Sequence, residues 1–424
     1  MKNPKRPRQS VHQFIARRQI CNLIPNHLVP KLTRELGVDA LCRTFSAWSH
    51  VVSLLFAQLT GALGLNDVCD SLRFHSGPLS SVRGATPPSR NNLSHANQRR
   101  PASLGEKLFW AVLGHLQAQT PSFGQGRGRR LAARFRATIH VVDATTIQLI
   151  ASCLDWARHR RRKAAAKCHL RMNMRSQLPC FAVIDTARQN DIRHARELCA
   201  GIREGEIVLF DRAYVDFAHL LELTARGVFW VTRAKEHFAY RVVRRRIKKR
   251  EGRILRDDEV VVTGKLSKTK YPQRLRRVEA EVEMDGEWRV LVFLTNNLEW
   301  APSSVAELYR CRWQIEVFFK QIKQTLQLQD FLGNSANAVQ WQLWMALLCY
   351  VLLRYLAHLS AWSGSFTRLW AVVRSTLWLR LHLRALLTAC GTAGGSFRML
   401  AQPEQAFLPG LEPAIYGTAT VRLA

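Results

Sequence analysis

The stretch from Leu308 to Leu326 reads LYRCRWQIEVFFKQIKQTL and has the period of a helix with two distinct faces. At about 100° per residue, Tyr309, Arg312, Glu316 and Lys323 fall within an arc of roughly 60°. Leu308, Ile315, Phe318, Phe319, Ile322 and Leu326 gather on an adjoining face. One continuous helix can therefore bury an apolar stripe while aiming a carboxylate, a phenol and two cations into a single site. The plain alternative is a surface pair, Arg312 with Glu316 at i, i+4 spacing, which contributes only ~0.3 to 0.5 kcal/mol. A purely structural helix seldom needs four such groups on one face.

The rest of the chain says what such a site would meet. The sequence has 424 residues, 63 Lys plus Arg against 31 Asp plus Glu, and a formal net charge of +32 with a pI near 10.8. With 47% hydrophobic and 22% charged residues, this is a folding composition of two or three domains and not a disordered basic tail. A charge of that size calls for a polyanionic partner, because each neutralised phosphate releases condensed counterions. The basic residues are spread along the whole chain instead of lining one amphipathic helix, which favours nucleic acid over a membrane surface. The ten cysteines form no CxxC and no Cys/His pairing, so neither a zinc site nor a disulfide framework is indicated and a reducing cytoplasm fits. The basic start MKNPKRPRQ is not followed by an apolar run. Trp341 to Leu353, the longest apolar run, stops at Arg354, short of a bilayer's thickness, and reads as a buried helix, so no membrane partner is expected.

Four regions follow from the periodicity. Residues 1–75 read as short helices, the strongest being Ser46 to Leu63, with Asn66 as a cap for the next helix; a compact module of this kind suits DNA binding or, alternatively, packing and dimerisation. Residues 76–134 form a connector: a Ser/Gly/Pro loop, then a polar basic helix opened by Pro88 and Ser89, then an apolar helix from Leu108 to Leu116 and the basic linker Gly124 to Arg130. Residues 135–355 read as an α/β domain. ATIHVVD is a buried strand ending on Asp143, Phe181 to Asp185 is a second strand, and Ile207 to Phe210 is a third, ending on Asp211. A helix from Asp216 to Ala225 and a strand from Val228 to Thr232 precede an all-β insertion, at about 228–300, with a hairpin across Met284, Asp285 and Gly286. Its basic residues, including Arg233, Lys235, Arg244, Arg246 and Arg250, read as phosphate contacts or as a solvated charged face. Residues 356–424 read as a helical tail with no diagnostic motif.

Asp143 and Asp211 are each, taken singly, ordinary turn or cap residues. They gain meaning beside Glu316. Three carboxylates supplied by two strands and a helix are the hard oxygen ligands that magnesium takes while keeping several waters. Two such ions ~3.5 to 4 Å apart can stabilise both the attacking and the leaving oxygen of a phosphoryl transfer.

The spacing Tyr-x2-Arg-x3-Glu-x6-Lys at Tyr309, Arg312, Glu316 and Lys323 resembles the YREK signature of bacterial insertion-sequence transposases of insertion sequence family four. FAQLTG and DVCDSL are similar to phrases in the amino-terminal domain often attached to that group, and LDWARHRRRKAAAKCHL resembles a family stretch with a spaced Lys, Lys and His, here Lys163, Lys167 and His169. The resemblance spans most of residues 11–355. It implies a ribonuclease H-like catalytic core interrupted by the all-β insertion, with helical regions at either end. It also implies a DDE triad at Asp143, Asp211 and Glu316 holding two Mg2+ ions, for which Mn2+ can substitute. His169, as a lone histidine, is left outside the site. Tyr309, Arg312 and Lys323 would contact phosphates near the cleaved end, with Lys163, Lys167 and Arg233 as further DNA contacts. Trp313 and Trp288 are either core residues or platforms for a base flipped during a hairpin step. The implied partners are double-stranded DNA, both element ends and target, and a second copy of the chain in a synaptic homodimer. The implied setting is the bacterial cytoplasm, associated with the nucleoid. Two other readings remain: a metal-dependent nuclease of the same fold without strand transfer, and a catalytically silent DNA-binding repressor.

Overall fold

The structure is a computed structural model. It describes residues 15–39, 42, 44–125, 135–149, 153, 157–160, 163–186, 191–284, 286–325 and 332–390. The basic start, most of the Gly124–Arg130 linker, Asp285 of the hairpin and the chain after 390 lie outside the described residues. The chain divides into two units, residues 124–320 and residues 1–123 together with 321–424.

Residues 124–320 are built on one sheet. Its strands are β1 (Ile139–Leu149), β2 (Arg158–Arg160), β3 (Lys163–Asn173), β4 (Leu178–Thr186), β5 (Ile207–Phe210), β6 (Phe229–Arg233), β7 (Tyr240–Arg245), β8 (Ile254–Val262), β9 (Leu275–Met284) and β10 (Glu287–Thr295). β4, β3 and β1 run antiparallel to their neighbours, and β5 and β6 then add in parallel. The order β4-β3-β1-β5-β6 is that of a ribonuclease H-like core. β5, sequence IVLF, is buried at all four positions, as expected of a parallel strand flanked on both sides. Helices Asp191–Cys199 and Phe217–Ala225 pack Leu198, Leu220 and Leu223 with Phe210 and Trp230 into one core.

Three expectations need correcting. β1 does not end on Asp143; it continues to Leu149 because β3 pairs with it through the whole length. The stretch around Lys163 and Lys167, assigned no element above, is the inner strand β3, held between β1 and β4. The insertion starts after β6, since Phe229–Thr232 pair in register with Ile207–Phe210 and belong to the core. It is also not wholly β, because Ser267–Lys270 forms a helical turn. β10 pairs back onto β6, so β10, β9, β8 and β7 extend the core sheet.

Many of the insertion's arginines serve the insertion itself. Arg276 grips buried Asp257 through two bonds of 2.7 and 2.6 Å. Arg246 pairs with Glu259 at 3.1 Å, Arg250 with Glu281 at 2.7 Å, and Arg244 lies 3.7 Å from Glu259. Three consecutive acids on β8, Asp257 to Glu259, are buried and force this arrangement, because an unpaired buried carboxylate is costly. Arg246 is therefore committed to internal ion pairs, whereas Arg244 and Arg250 pair from the exposed surface.

The other unit is helical. Ala47–Thr60 is capped by the Ser46 side chain and ends at Gly61, whose φ of 70° is the left-handed value that ends helices. The next helix, Leu65–Phe74, is capped by Asp67 reaching back to the Gly64 N–H, so Asp67 and not Asn66 does the capping. At the centre runs Ala336–Leu359, 24 residues and buried along nearly its whole length. It is long and apolar enough to cross a membrane by composition. Here Ala47–Thr60, Arg90–Arg99 and Ser103–Gln119 pack around it, as a helix apolar on all sides requires. Residues 336–355 therefore pack with the amino-terminal helices. Two segments far apart in sequence are stitched together: the Ala16 and Arg17 N–H groups donate to the Leu379 and Leu377 carbonyls, and Gln19 donates to the Leu381 carbonyl at 2.6 Å. Buried Arg17 stacks between the rings of Phe56 and Trp378.

Candidate active site

The site grows from the pairing of β1 with β5. Val142 lies opposite Phe210 in this parallel pair, so the next residues, Asp143 and Asp211, emerge side by side where β5 stops. Asp143 Oδ1 accepts the Ala144 N–H at 2.8 Å. Asp211 accepts the Arg212 N–H at 2.7 Å and opens a 3-10 turn, Arg212–Tyr214.

The third group comes from the quoted stretch, which is two helices and not one. Pro302–Cys311 and Trp313–Thr325 meet at Arg312. The Arg312 N–H donates to the Tyr309 carbonyl (3.0 Å) and the Ile315 N–H to the Arg312 carbonyl (3.1 Å), so the chain tightens to i→i−3 bonding for one turn. From this turn the Arg312 guanidinium, 8% exposed, reaches two carboxylates. Nη1 donates to Asp143 Oδ2 at 3.0 Å and Nη2 to Glu316 Oε1 at 2.5 Å. Its charge also lies 5.5 Å from the centre of the Tyr309 ring.

Electrostatics bind these groups further. Burial raises the Asp143 carboxyl to about 6, against the opposing pull of Arg312 and the Ala144 N–H, with Asp211 and Glu316 adding to the rise. Burial works against the Arg312 charge, but Tyr309, Asp143 and Glu316 outweigh it and hold its pKa above the ordinary value. Burial pushes the Tyr309 phenol up to about 12, with Asp211 and Arg233 acting on it from nearby. The structure thus brings Asp143, Asp211, Tyr309, Arg312, Glu316 and Arg233 together.

Five residues singled out in the sequence are not among these. Lys323 follows on the same helix as Glu316, beyond the end of the 124–320 unit. Lys163 and Lys167 belong to β3, with Lys167 opposite Asp185 of β4. Trp288 opens β10 and is 47% exposed, with the Arg253 guanidinium 3.6 Å from its ring centre. Trp313 is 41% exposed, so neither tryptophan is a core residue.

Sequence reasoning missed what supports Asp211. His169 Nδ1 lies 3.3 Å from the Tyr214 hydroxyl, and the His169 and His194 rings are 4.4 Å apart. His194 in turn lies 3.4 Å from Asp185. The Tyr214 N–H donates to the Asp211 carbonyl, closing the turn that the aspartate opens. The histidine in the Lys, Lys, His pattern was the available signal, and its use is to brace this turn.

Among the described residues, no three His, Cys, Asp or Glu side chains are already gathered at metal-ligand spacing. The guanidinium stands between two of the carboxylates. The donor set itself, two carboxylates at one end of adjacent strands and a third from a helix, is one that a hard divalent ion takes. Burial leaves the Asp143 carboxyl raised despite Arg312, and such an ion would offset that cost.

Residues 134–352 match the family described as Transposase DDE domain, and residues 15–82 match a domain of unknown function. The Sinorhizobium fredii protein y4zB, named as a transposase, is 32% identical over 302 residues, covering 70% of this chain and 80% of its own. The Geobacillus stearothermophilus protein named as a transposase for insertion sequence element IS5377 is 28% identical, over 60% of this chain and 64% of its own. A piggyBac transposase, solved by cryo-EM in a synaptic complex with hairpin DNA, aligns over 87% of this chain and 79% of its own with a TM-score of 0.42 and 8% identity.

Proposed function

Because the chain belongs to the DDE transposase family, we propose that it cuts the ends of an insertion sequence by phosphoryl transfer, by way of a DNA hairpin, and joins them to target DNA. The observation that carries this reading is the convergence of Asp143, Asp211 and Glu316, with the Arg312 guanidinium bonded to Asp143 and Glu316 and Asp211 beside Asp143. Those three carboxylates would hold two Mg2+ ions, or Mn2+ in their place, which supply the charge that activates the attacking oxygen and stabilises the leaving one.

The protein's own residues prepare the DNA. Arg312, Tyr309 and Arg233 present two cations and a phenol beside the carboxylates, where a phosphate on the cleaved strand can take the guanidinium. Lys163, Lys167 and Lys323 add positive charge along the backbone path. Water attack frees a 3′ hydroxyl. That hydroxyl then attacks the opposite strand, releasing the flanking DNA and closing the hairpin. The exposed rings of Trp288 and Trp313 receive the base that must leave the stack. A synaptic homodimer would hold both ends.

The test is cleavage of end DNA by Asp143→Asn, Asp211→Asn and Glu316→Gln. Each should lose at least about 10²- to 10³-fold in cleavage while keeping duplex binding, and a chelator should act alike on the unmodified protein. Near-normal cutting by any one of them removes that residue from the triad. Strand-transfer products separate transposition from simple nuclease action, and binding without metal-dependent cutting would mark a repressor.

A further inference from the structure

The helix Arg90–Arg99, sequence RNNLSHANQR, lies in the segment between the two family matches, so neither accounts for it. Its Ser89 cap accepts the Asn92 N–H, and its inner face is Leu93, Ala96 and Asn97. The back of the helix is fastened by polar bonds. His50 Nε2 and Asn97 Oδ1 are 2.8 Å apart, and Asn97 donates to the Leu332 carbonyl. Asn337 donates to the carbonyls of Asn97 (2.8 Å) and Arg100 (2.6 Å), and Trp341 Nε1 also donates to Arg100. Arg100 itself pairs with Asp39 at 2.8 Å.

The outer face is the reverse. Asn91, Asn92, His95, Gln98 and Arg99 are exposed and span an arc of about 120° at 100° per residue. Among the described residues, none of these side chains has a hydrogen-bond or ion-pair partner, and the helix carries no acid. A rigidly mounted helix whose outer face spends no side-chain donor on its own fold, on a chain of charge +32, offers those donors to something outside. Asparagine and glutamine pair bidentately with adenine and arginine with guanine, and the major groove, about 12 Å wide, admits one helix.

We infer that Arg90–Arg99 is a base-reading helix that lies in the DNA major groove, with Asn92, Gln98 and Arg99 among its reading side chains. This rests on the chain acting as a DNA-binding transposase, and it adds where sequence is read. The test is selection of binding sites from a randomised duplex pool by the full chain and by Asn92→Ala, Gln98→Ala and Arg99→Ala, all solvent-facing changes. The unmodified protein should enrich a motif. Each variant should lose preference at one or two adjacent base pairs of it, by roughly 5- to 150-fold, while its binding to random duplex stays within about twofold. The same motif at the same strength in all three variants overturns the helix's role and leaves the transposase reading standing. A uniform loss of affinity for every sequence would make these phosphate contacts and also overturn it. An unmodified protein that enriches no motif defeats both.

Discussion

Replacing Arg312 by Gln removes the positive charge between Asp143 and Glu316 and leaves a shorter, neutral amide. Two charge-assisted hydrogen bonds are lost, each ordinarily about 1.5 to 3 kcal/mol. The side chain of Asp143 is 15% exposed and that of Glu316 35%, so solvent screens the second more than the first. Breaking a buried pair from one side costs about 3 to 5 kcal/mol, and the Glu316 share must be discounted. The release of a buried guanidinium offsets part of the remainder. A net loss of about 3 kcal/mol follows, or about 6 to 12 °C in melting temperature for a cooperative unit of the size of residues 124–320. The assay is thermal unfolding with chelator and with Mn2+. In chelator the variant should melt well below the unmodified protein. With Mn2+ it should recover more than the unmodified protein gains, because there the cation need not displace an arginine first. A variant within about 2 °C of the unmodified protein in chelator, or an equal Mn2+ shift in both, would refute the bridging role.

Trp288→Ala and Trp313→Ala should nick the first strand at near-normal rates yet form little hairpin, with an abasic nucleotide at the flipped position partly restoring it; gel analysis of end-labelled DNA reads both steps, and equal loss of both without rescue would make the rings structural. Acid should destabilise the protein through His50 and His169, whose pKa values are lowered to about 3, by burial first and by neighbouring cationic groups second. Both are neutral in the fold, whereas the unfolded chain takes up protons near pH 6.5. Stability is then fully present above about 6.5 and falls as the pH drops towards 3, by about 2 kcal/mol per histidine at pH 5. Unfolding midpoints at pH 7, 6 and 5 check this, and a His50→Gln protein with undiminished acid sensitivity would contradict it.

The parts of the fold that sequence made legible are those where one local rule decides. IVLF at β5 is an apolar run because its strand is buried on both faces, and Ser89 announces its helix by capping it. β3 was hidden because KAAAKCHLRMN is rich in Ala and Lys, which favour helices; only its position between β1 and β4 makes it a strand. The acids of the site and their order along the chain were readable, but the break at Arg312 was not, for no Pro or Gly marks it. Nor could spacing show that the same arginine bonds to an aspartate 169 residues earlier. The exposure of Trp288 and Trp313 likewise depends on packing, which residue type alone does not specify.

The stitching of residues 16–19 to 377–381 means that the helical unit joins segments made before residues 124–320 to segments made after them. Residues 124–320 are contiguous and can fold while synthesis is still under way. The amino-terminal helices must instead wait for Ala336–Leu359 to cover their apolar faces, and contacts of such sequence separation close slowly. A messenger truncated before residue 336 would therefore yield a chain able to form the catalytic sheet but left with an uncovered helical half. Arg90–Arg99 is among the helices that wait for Ala336–Leu359, so its mounting comes late in synthesis.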